Sequence, residues 1–267
     1  MRYALLISYD GTDFSGWQIQ PQKRTVQGVL SEAAKEIFGT ETTLTASGRT
    51  DAGVHALGQV AHFDAITTIP AEKLAQCFNR LLPPDVKVLR SALSPEDFDC
   101  SRGAKKKTYV YSAYYAGSEL PLLRRYAARL SGKPDVSKMR AAAELLLGEH
   151  DFAAFRSSGF TSKTSVRKIY SVEVVEQSEK EHTFYQIKVT GNGFLYNMVR
   201  ILAGELFAVG CGKEQMITKA FETGERKLLA KTMPPQGLLL EKVEYDTPLF
   251  GDERHHAGDE PRKVFGA

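Results

Sequence analysis

The chain has 267 residues, 42% of them apolar and 25% charged, with a formal net charge of +3 when histidines are neutral. That is enough apolar material for a full core in one large domain or two small ones, without disulfide or metal staples. The charge balance is too small to define a partner, so the placement of charge has to carry that argument. No run of about 18 apolar residues occurs, and the start MRYALLISYDGT lacks the pattern of a secretion signal, so a soluble cytoplasmic protein with no membrane partner is expected. Cys77, Cys100 and Cys211 are odd in number and far apart, which argues against a disulfide framework or a close-spaced zinc pair.

Taken in chain order, YALLISY alternates Tyr3, Leu5, Ile7 and Tyr9 with smaller or polar neighbours, as a half-buried strand requires, and a turn at Asp10-Gly11 ends it. Thr25 is placed to cap a helix with Val26, Val29, Leu30, Ala33 and Ile37 on one face, and Gly39 to stop it. Strands are expected near 42–46 and 58–64, with the polar loop SGRTDAGVHA between them. A helix carrying Leu74, Phe78 and Leu81 then runs into Pro83-Pro84, and VKVLRSAL reads as a strand. The order is β-α-β-β-α-β.

The second half repeats that order. KTYVYSAYY reads as a strand, Asp135 caps a helix with Met139, Ala142 and Leu146 inward, and Gly148 closes it. KIYSVEVVEQ and TFYQIKVTG form a hairpin, GFLYNMVRILAGELFAVG a long amphipathic helix and GLLLEKVEY the last strand, with a short extra helix near 214–222. Two split units in tandem imply an α+β protein of two pseudo-symmetric halves, with a mixed, mainly antiparallel sheet and helices packed to one side. The expected subdomains are 1–104 and 105–246, with the boundary near 95–104. A tail at 247–267 has little apolar periodicity and is expected to fray.

Positive charge gathers in Lys105, Lys106 and Lys107, in Arg124, Arg125 and Arg129, and in Arg156, Lys163, Arg167 and Lys168, with Tyr109, Tyr111, Tyr126 and Phe155 among them. Such clusters either form solvated faces or track a phosphate backbone by counterion release. The densest polar stretch, SGRTDAGVHA, sets Arg49, Thr50, Asp51 and His55 between two strands, where rigid flanks commonly hold reactive groups. Asp51 before Ala52-Gly53 also suits an ordinary turn, but Arg49 and His55 have no evident folding task there, although His55 is not expected to be catalytic. His255 and His256 adjoin in the tail without further ligands, and no metal site is expected.

The segments YDGTDFSGWQIQPQKRTVQGVL, SGRTDAGVHALGQVAHF, KKKTYVY, GEHDFAAFRSSG, GNGFLYNMVRILAG and QGLLL span Tyr9 to Leu240. In order and spacing they resemble the tRNA pseudouridine synthase A family. The resemblance implies that Asp51 of GRTDAG is the nucleophile and that Arg49 contacts the flipped nucleotide. It further implies that Tyr109 of the K-x-Y motif stacks on the target base, that Arg200 of NMVR pairs with the carboxylate, and that Leu238 lines the uracil pocket. Tyr111 shares the strand face of Tyr109, so that choice rests on the motif. The chain departs from the family with GLLL where GLYL is commoner, a difference expected to touch packing alone. The resemblance also implies a homodimer acting on uridines 38 to 40 of the tRNA anticodon stem-loop, and Lys105, Lys106, Lys107, Arg124 and Arg125 are candidate contacts to the RNA backbone.

The chemistry fits these residue types. Forming pseudouridine breaks the bond from C1′ to N1, turns the base and joins C1′ to C5, with no redox step and no cofactor. A carboxylate either attacks C1′ or takes a proton from C2′, and the residues do not choose between these. Burial raises its pKa, and a facing cation such as Arg200 opposes that shift. An RNA-recognition module shares the β-α-β-β-α-β order, but neither half carries its K/R-G-F/Y-G/A-F-V-x-F/Y run. A hydrolase would want a second acid or a metal that the motif block lacks, and a target in rRNA fits the whole-length resemblance less well than tRNA.

Overall fold

A computed structural model describes residues 1–159, 164–179 and 181–250. Lys163, the adjoining His255 and His256, and all but the start of the tail lie outside the described residues. The first half runs β1 (Arg2–Tyr9), α1 (Val26–Phe38), β2 (Thr45–Ala46), β3 (His55–Asp64), α2 (Leu74–Leu81) and β4 (Val86–Ser94). The second runs β5 (Lys106–Ala116), β6 (Ala128–Arg129), α3 (Val136–Glu144), β7 (Gly148–Asp151), β8 (Val166–Glu179), β9 (His182–Gly191), α4 (Met198–Gly210), α5 (Ile217–Thr223) and β10 (Leu238–Glu244).

Local signals set several of these boundaries. Thr25 caps α1 by accepting from the Gly28 N–H, and Gly39 ends the helix with φ 71°. Asp135 caps α3 by accepting from Ser137 and Lys138. Along β1 the residues Tyr3, Leu5, Ile7 and Tyr9 are all buried, the period-two pattern of a strand with one face on the core. Phe38 of α1 and Phe78 of α2 meet Phe63 of β3 edge-on or tilted at 5.5 and 5.9 Å, which fastens both helices to the sheet.

The strands form one sheet in the order β4-β1-β3-β10-β5-β9-β8-β7, with β2 on β3 and β6 on β5. The arrangement β4-β1-β3 recurs as β10-β5-β9, so the expected pseudo-symmetry is visible in strand order. Pairing is antiparallel except where β10 runs parallel to β3 and β6 parallel to β5. The β3–β10 junction sets Leu239 opposite His55, and on its other side β10 sets Leu240 opposite Tyr109. The loop entering β3, the start of β10 and the start of β5 therefore meet, although they are far apart in sequence.

Some elements differ from expectation. The strand expected near 42–46 shrinks to Thr45–Ala46, and β3 begins at His55, three residues early, because its parallel pairing with β10 starts there. Helix α4 begins at Met198 instead of near Gly193, because Asn197 takes a left-handed conformation with φ 63° and ends the preceding loop. Helix α3 stops at Glu144, and Gly148, with φ 95°, opens the short polar strand β7.

Candidate active site

Asp51 lies in the loop leading into β3, and that loop is pinned from several sides. The Trp17 N–H donates to the Thr50 carbonyl at 3.0 Å, and Val54 N–H closes a turn on the Asp51 carbonyl at 3.1 Å. Gly53 within this turn has φ 77°, a conformation that a residue with a Cβ adopts at a cost. Beneath the loop, the Tyr9 and Thr50 hydroxyls are 2.7 Å apart, and the Gln59 amide donates to the Gly48 carbonyl at 2.8 Å while accepting from the Ser47 hydroxyl at 2.8 Å. Burial pushes the Tyr9 phenol up to about 12, so it remains a neutral strut.

His55 has a structural task. Its Nδ1 accepts from the Gly11 N–H at 3.0 Å, and its Nε2 donates to the carbonyls of Arg125 at 2.8 Å and Gln236 at 3.2 Å. Asp10 also approaches Nδ1, at 3.2 Å, but the Gly11 donor requires an unprotonated nitrogen there. Burial, outweighing Asp10, holds the imidazole pKa below its usual value. His55 is thus a neutral bracket joining the Asp51 loop to the loops before β6 and β10. His55→Ala should cost about 3 kcal/mol by leaving three buried backbone groups without partners, read as a shift in the denaturant midpoint at pH 7. This stabilisation is present above about pH 6.5, where unfolded histidine is neutral, and is lost as the pH falls through the lowered folded value. Unchanged stability with lost activity would instead make His55 chemical.

The Arg200 guanidinium reaches Asp51 from α4. Its Nε donates to the Met233 carbonyl at 2.7 Å, and one terminal nitrogen donates to the Asn197 side-chain oxygen at 2.6 Å and to Asp51 Oδ2 at 3.4 Å. The two short bonds fix the guanidinium, and the long one leaves the carboxylate loosely held. Asp51 Oδ1 accepts no hydrogen bond among the described residues. The side chains of Asp51 and Arg200 are 27% and 15% exposed. Burial raises the Asp51 pKa, and Arg200 offsets this only in part, so the net direction is upward.

Asp51 opens on a cavity of about 1030 Å³. Its wall is apolar where Tyr109, Leu238, Leu195, Met198 and Val199 line it. Tyr109 lies in the cavity with its ring edge-on to Phe194 at 5.2 Å. Tyr111, on the same strand face, is fully buried behind it and donates to the Pro234 carbonyl at 2.8 Å. Arg49 is exposed on the cavity wall and forms no hydrogen bond or ion pair among the described residues. Among the described residues no cluster of His, Cys, Asp and Glu could hold a metal ion.

The lysine run divides. Lys107 points into the cavity and donates to the Ser47 carbonyl at 2.5 Å, and burial lowers its pKa. Lys105 pairs with Asp246 at 2.9 Å, and the Lys106 ammonium sits 5.3 Å from the Tyr170 ring centre. The Arg125 guanidinium is 3.3 Å from Asp13, whereas the exposed Arg124 guanidinium donates, among the described residues, only to the nearby Pro121 carbonyl at 3.0 Å. Three contributors went unread in the sequence: Asn197, Met233 and the inward turn of Lys107. One had a signal, since Lys107 lies two residues before Tyr109 on one strand face, whereas Asn197 precedes α4 in a left-handed conformation that no helical spacing foretells.

A half-buried carboxylate with a free oxygen thus faces an apolar wall, in a cavity at the upper end of the range for small-molecule sites. The sequence profile of the tRNA pseudouridine synthase family matches residues 5–101 and 142–246, and the chain belongs to that family. It is accordingly an isomerase. The tRNA pseudouridine synthase A of Caldicellulosiruptor bescii is 42% identical over 248 residues, covering 92% of this chain and 100% of that one. That of Citrifermentans bemidjiense is 44% identical over 244 residues, covering 90% and 96%. Among solved structures, a chain in the crystal structure of a Cbf5-Nop10-Gar1 complex aligns at 13% identity with a TM-score of 0.34. This chain spans 59% of that longer one, and the alignment covers 92% of this chain.

Proposed function

We propose that the protein converts uridine to pseudouridine at positions 38 to 40 of the tRNA anticodon stem-loop, with Asp51 as the nucleophile. The observation that carries this reading is the free Asp51 Oδ1 at the wall formed by Tyr109 and Leu238. Attack at C1′ forms a bond from the carboxylate to the sugar and releases N1. The detached uracil turns against Tyr109 and Leu238, C5 displaces the carboxylate, and the hydrogen on C5 leaves as N1 gains a proton. Arg49 is the hand that reaches the flipped nucleotide, because its guanidinium is not engaged by the fold. Arg200 keeps Asp51 ionised and aimed.

The protein acts as a homodimer in the cytoplasm, where a cleft shared by two copies can grip an elbow-shaped tRNA. The direct test incubates purified protein with unmodified tRNA transcripts and maps pseudouridine at base resolution. Product at 38 to 40 supports the reading, and product elsewhere or only in rRNA fragments overturns it.

Lys105, Lys106 and Arg124 contact phosphates in this proposal, and Lys107 acts from within the cavity. Replacing those three with Ala should reduce the slope of log affinity against log salt by about 2 to 3, at roughly 0.7 to 0.9 per lost phosphate contact. Arg125→Ala should change it less, because two carboxylates, Asp13 and Asp10, already engage that guanidinium, whereas Lys105 faces the single, well-exposed carboxylate of Asp246. An unchanged slope in the triple variant would return these side chains to a solvated face.

A further inference from the structure

Glu205 is fully buried on α4, five residues after Arg200, and the proposed chemistry does not use it. Its Oε2 accepts from the Lys213 ammonium and from the Ala230 N–H, both at 2.7 Å, while its Oε1 has no partner among the described residues. Lys213 also donates to the Leu228 carbonyl at 2.9 Å. Arg226 also lies near Glu205 and braces the same segment by donating to the Leu229 carbonyl and the Thr232 hydroxyl. A buried carboxylate with one oxygen unsatisfied is expensive, and a fold that keeps one has a use for its position.

That position has a consequence one strand of chain away. Segment 228–233 crosses α4 at Gly204, where a Cβ would collide with the Lys231 carbonyl oxygen. It then returns to Arg200, whose carbonyl accepts from the Met233 N–H at 3.2 Å and whose Nε donates to the Met233 carbonyl at 2.7 Å. Arg200, Gly204 and Glu205 thus hold one segment at successive points along a helix, and the last of its contacts orients the guanidinium that faces Asp51.

We infer that Glu205, with Lys213, is a positioning residue for the reaction: it clamps segment 228–233 onto α4 so that Met233 aims Arg200 at Asp51. The inference rests on the reading of Arg200 as the partner of the Asp51 nucleophile. Asp51 is faced by Arg200 from α4 and by the neutral phenol of Tyr109 from β5. Loosening Met233 reaches the Asp51 charge through Arg200; the next residues also touch the Asp51 loop, Pro235 beside Gly53 and the Gln236 carbonyl on His55, but they carry no charge, so a shift of the acid limb reports the Arg200 route.

The test compares Glu205→Ala, Glu205→Gln, Gly204→Ala and Arg200→Ala for single-turnover pseudouridine formation across pH, tRNA affinity and melting temperature. Glu205→Ala should lose between about tenfold and a hundredfold in rate, the scale of a small misplacement transmitted from outside the site. Its acid limb should move to higher pH and its tRNA affinity should hold. Glu205→Gln should recover part of the rate, because an amide oxygen can still accept from Ala230. Gly204→Ala displaces the segment without touching a charge and should move the acid limb in the same direction, which keeps the inference testable if Glu205→Ala does not fold. A lowered melting temperature with wild-type rate and pH dependence in the folded variants would make the clamp merely structural and overturn the inference. If Arg200→Ala itself leaves the acid limb in place, the underlying reading of Arg200 fails instead.

Discussion

Asp51→Asn should fold, bind tRNA as tightly as the parent and form no pseudouridine. The amide keeps the size of the carboxylate and its capacity to accept a hydrogen bond from Arg200, but it has neither the charge nor the nucleophilicity that the sugar requires. The surrounding structure explains why folding should survive. The turn is set by the Asp51 carbonyl and by Gly53, not by the Asp51 side chain. Stability should even rise slightly at neutral pH. Burial lifts the Asp51 pKa, so the folded state holds that proton more tightly than the unfolded chain does. The contribution to stability is then present below the ordinary carboxylate pKa of about 3.9 and is lost as the pH rises through the raised folded value. At pH 7 the ionised carboxylate is a net cost, and the amide removes it. A structural Asp51 would give the opposite pattern, with product retained and stability little changed. Melting temperature, affinity and product measured on one preparation separate the two.

Arg200→Ala should lower the single-turnover rate by roughly 10²- to 10³-fold, the effect of removing one preorganised charge from a catalytic site. Its affinity for tRNA should change far less. The sign of the pH effect follows from the two influences on Asp51: burial raises its pKa and Arg200 lowers it. Without the guanidinium only the raising influence remains. If the ionised Asp51 carboxylate is the nucleophile, as proposed, activity is lost as the pH falls through its pKa, so the acid limb should move to higher pH. Arg200→Lys should not restore the rate, because a single ammonium lacks the planar set of donors that serves Met233, Asn197 and Asp51 together. Activity lost only in step with folded protein, with the acid limb unmoved, would leave Arg200 as a packing residue of α4.

What the sequence made legible was mostly local. The caps at Thr25, Gly39 and Asp135 and the alternation of β1 are interactions within a few residues, and those elements lie where the pattern puts them. The parallel contact of β3 with β10 was not legible, since it joins residues about 180 positions apart and depends on the two halves docking as one sheet. The late start of α4 was missed because Asn197 spends its side chain on Arg200 and Ser157 instead of capping the helix. Strands β6 and β7 are too short and too polar to show a period.

Within the site, the motif located Asp51, and the fold set its neighbours. Pattern alone left Tyr109 and Tyr111 on the same face, and the difference is depth: one lines the cavity, the other hydrogen-bonds behind it. The basic run read as three equivalent lysines, yet strand alternation turns Lys107 inward with Tyr109 and Lys106 to the other face, while Lys105, just before β5, pairs with Asp246. Arg125 read as a backbone contact, and the fold sets its guanidinium 3.3 Å from Asp13.

The central claim is that the Asp51 carboxylate performs the chemistry, and one measurement addresses it most directly. When C5 of uridine bonds to C1′, the hydrogen on C5 is released, so tRNA tritiated at C5 of its uridines reports each conversion as label in water. With enzyme in excess over such a tRNA, the parent chain should release label from its target uridines within a single turnover. Asp51→Asn, folded and bound to the same tRNA, should release no more than a sample without protein even after prolonged incubation. Release by the Asn variant to the level reached by the parent would contradict the claim and require another residue of the cavity to attack the sugar.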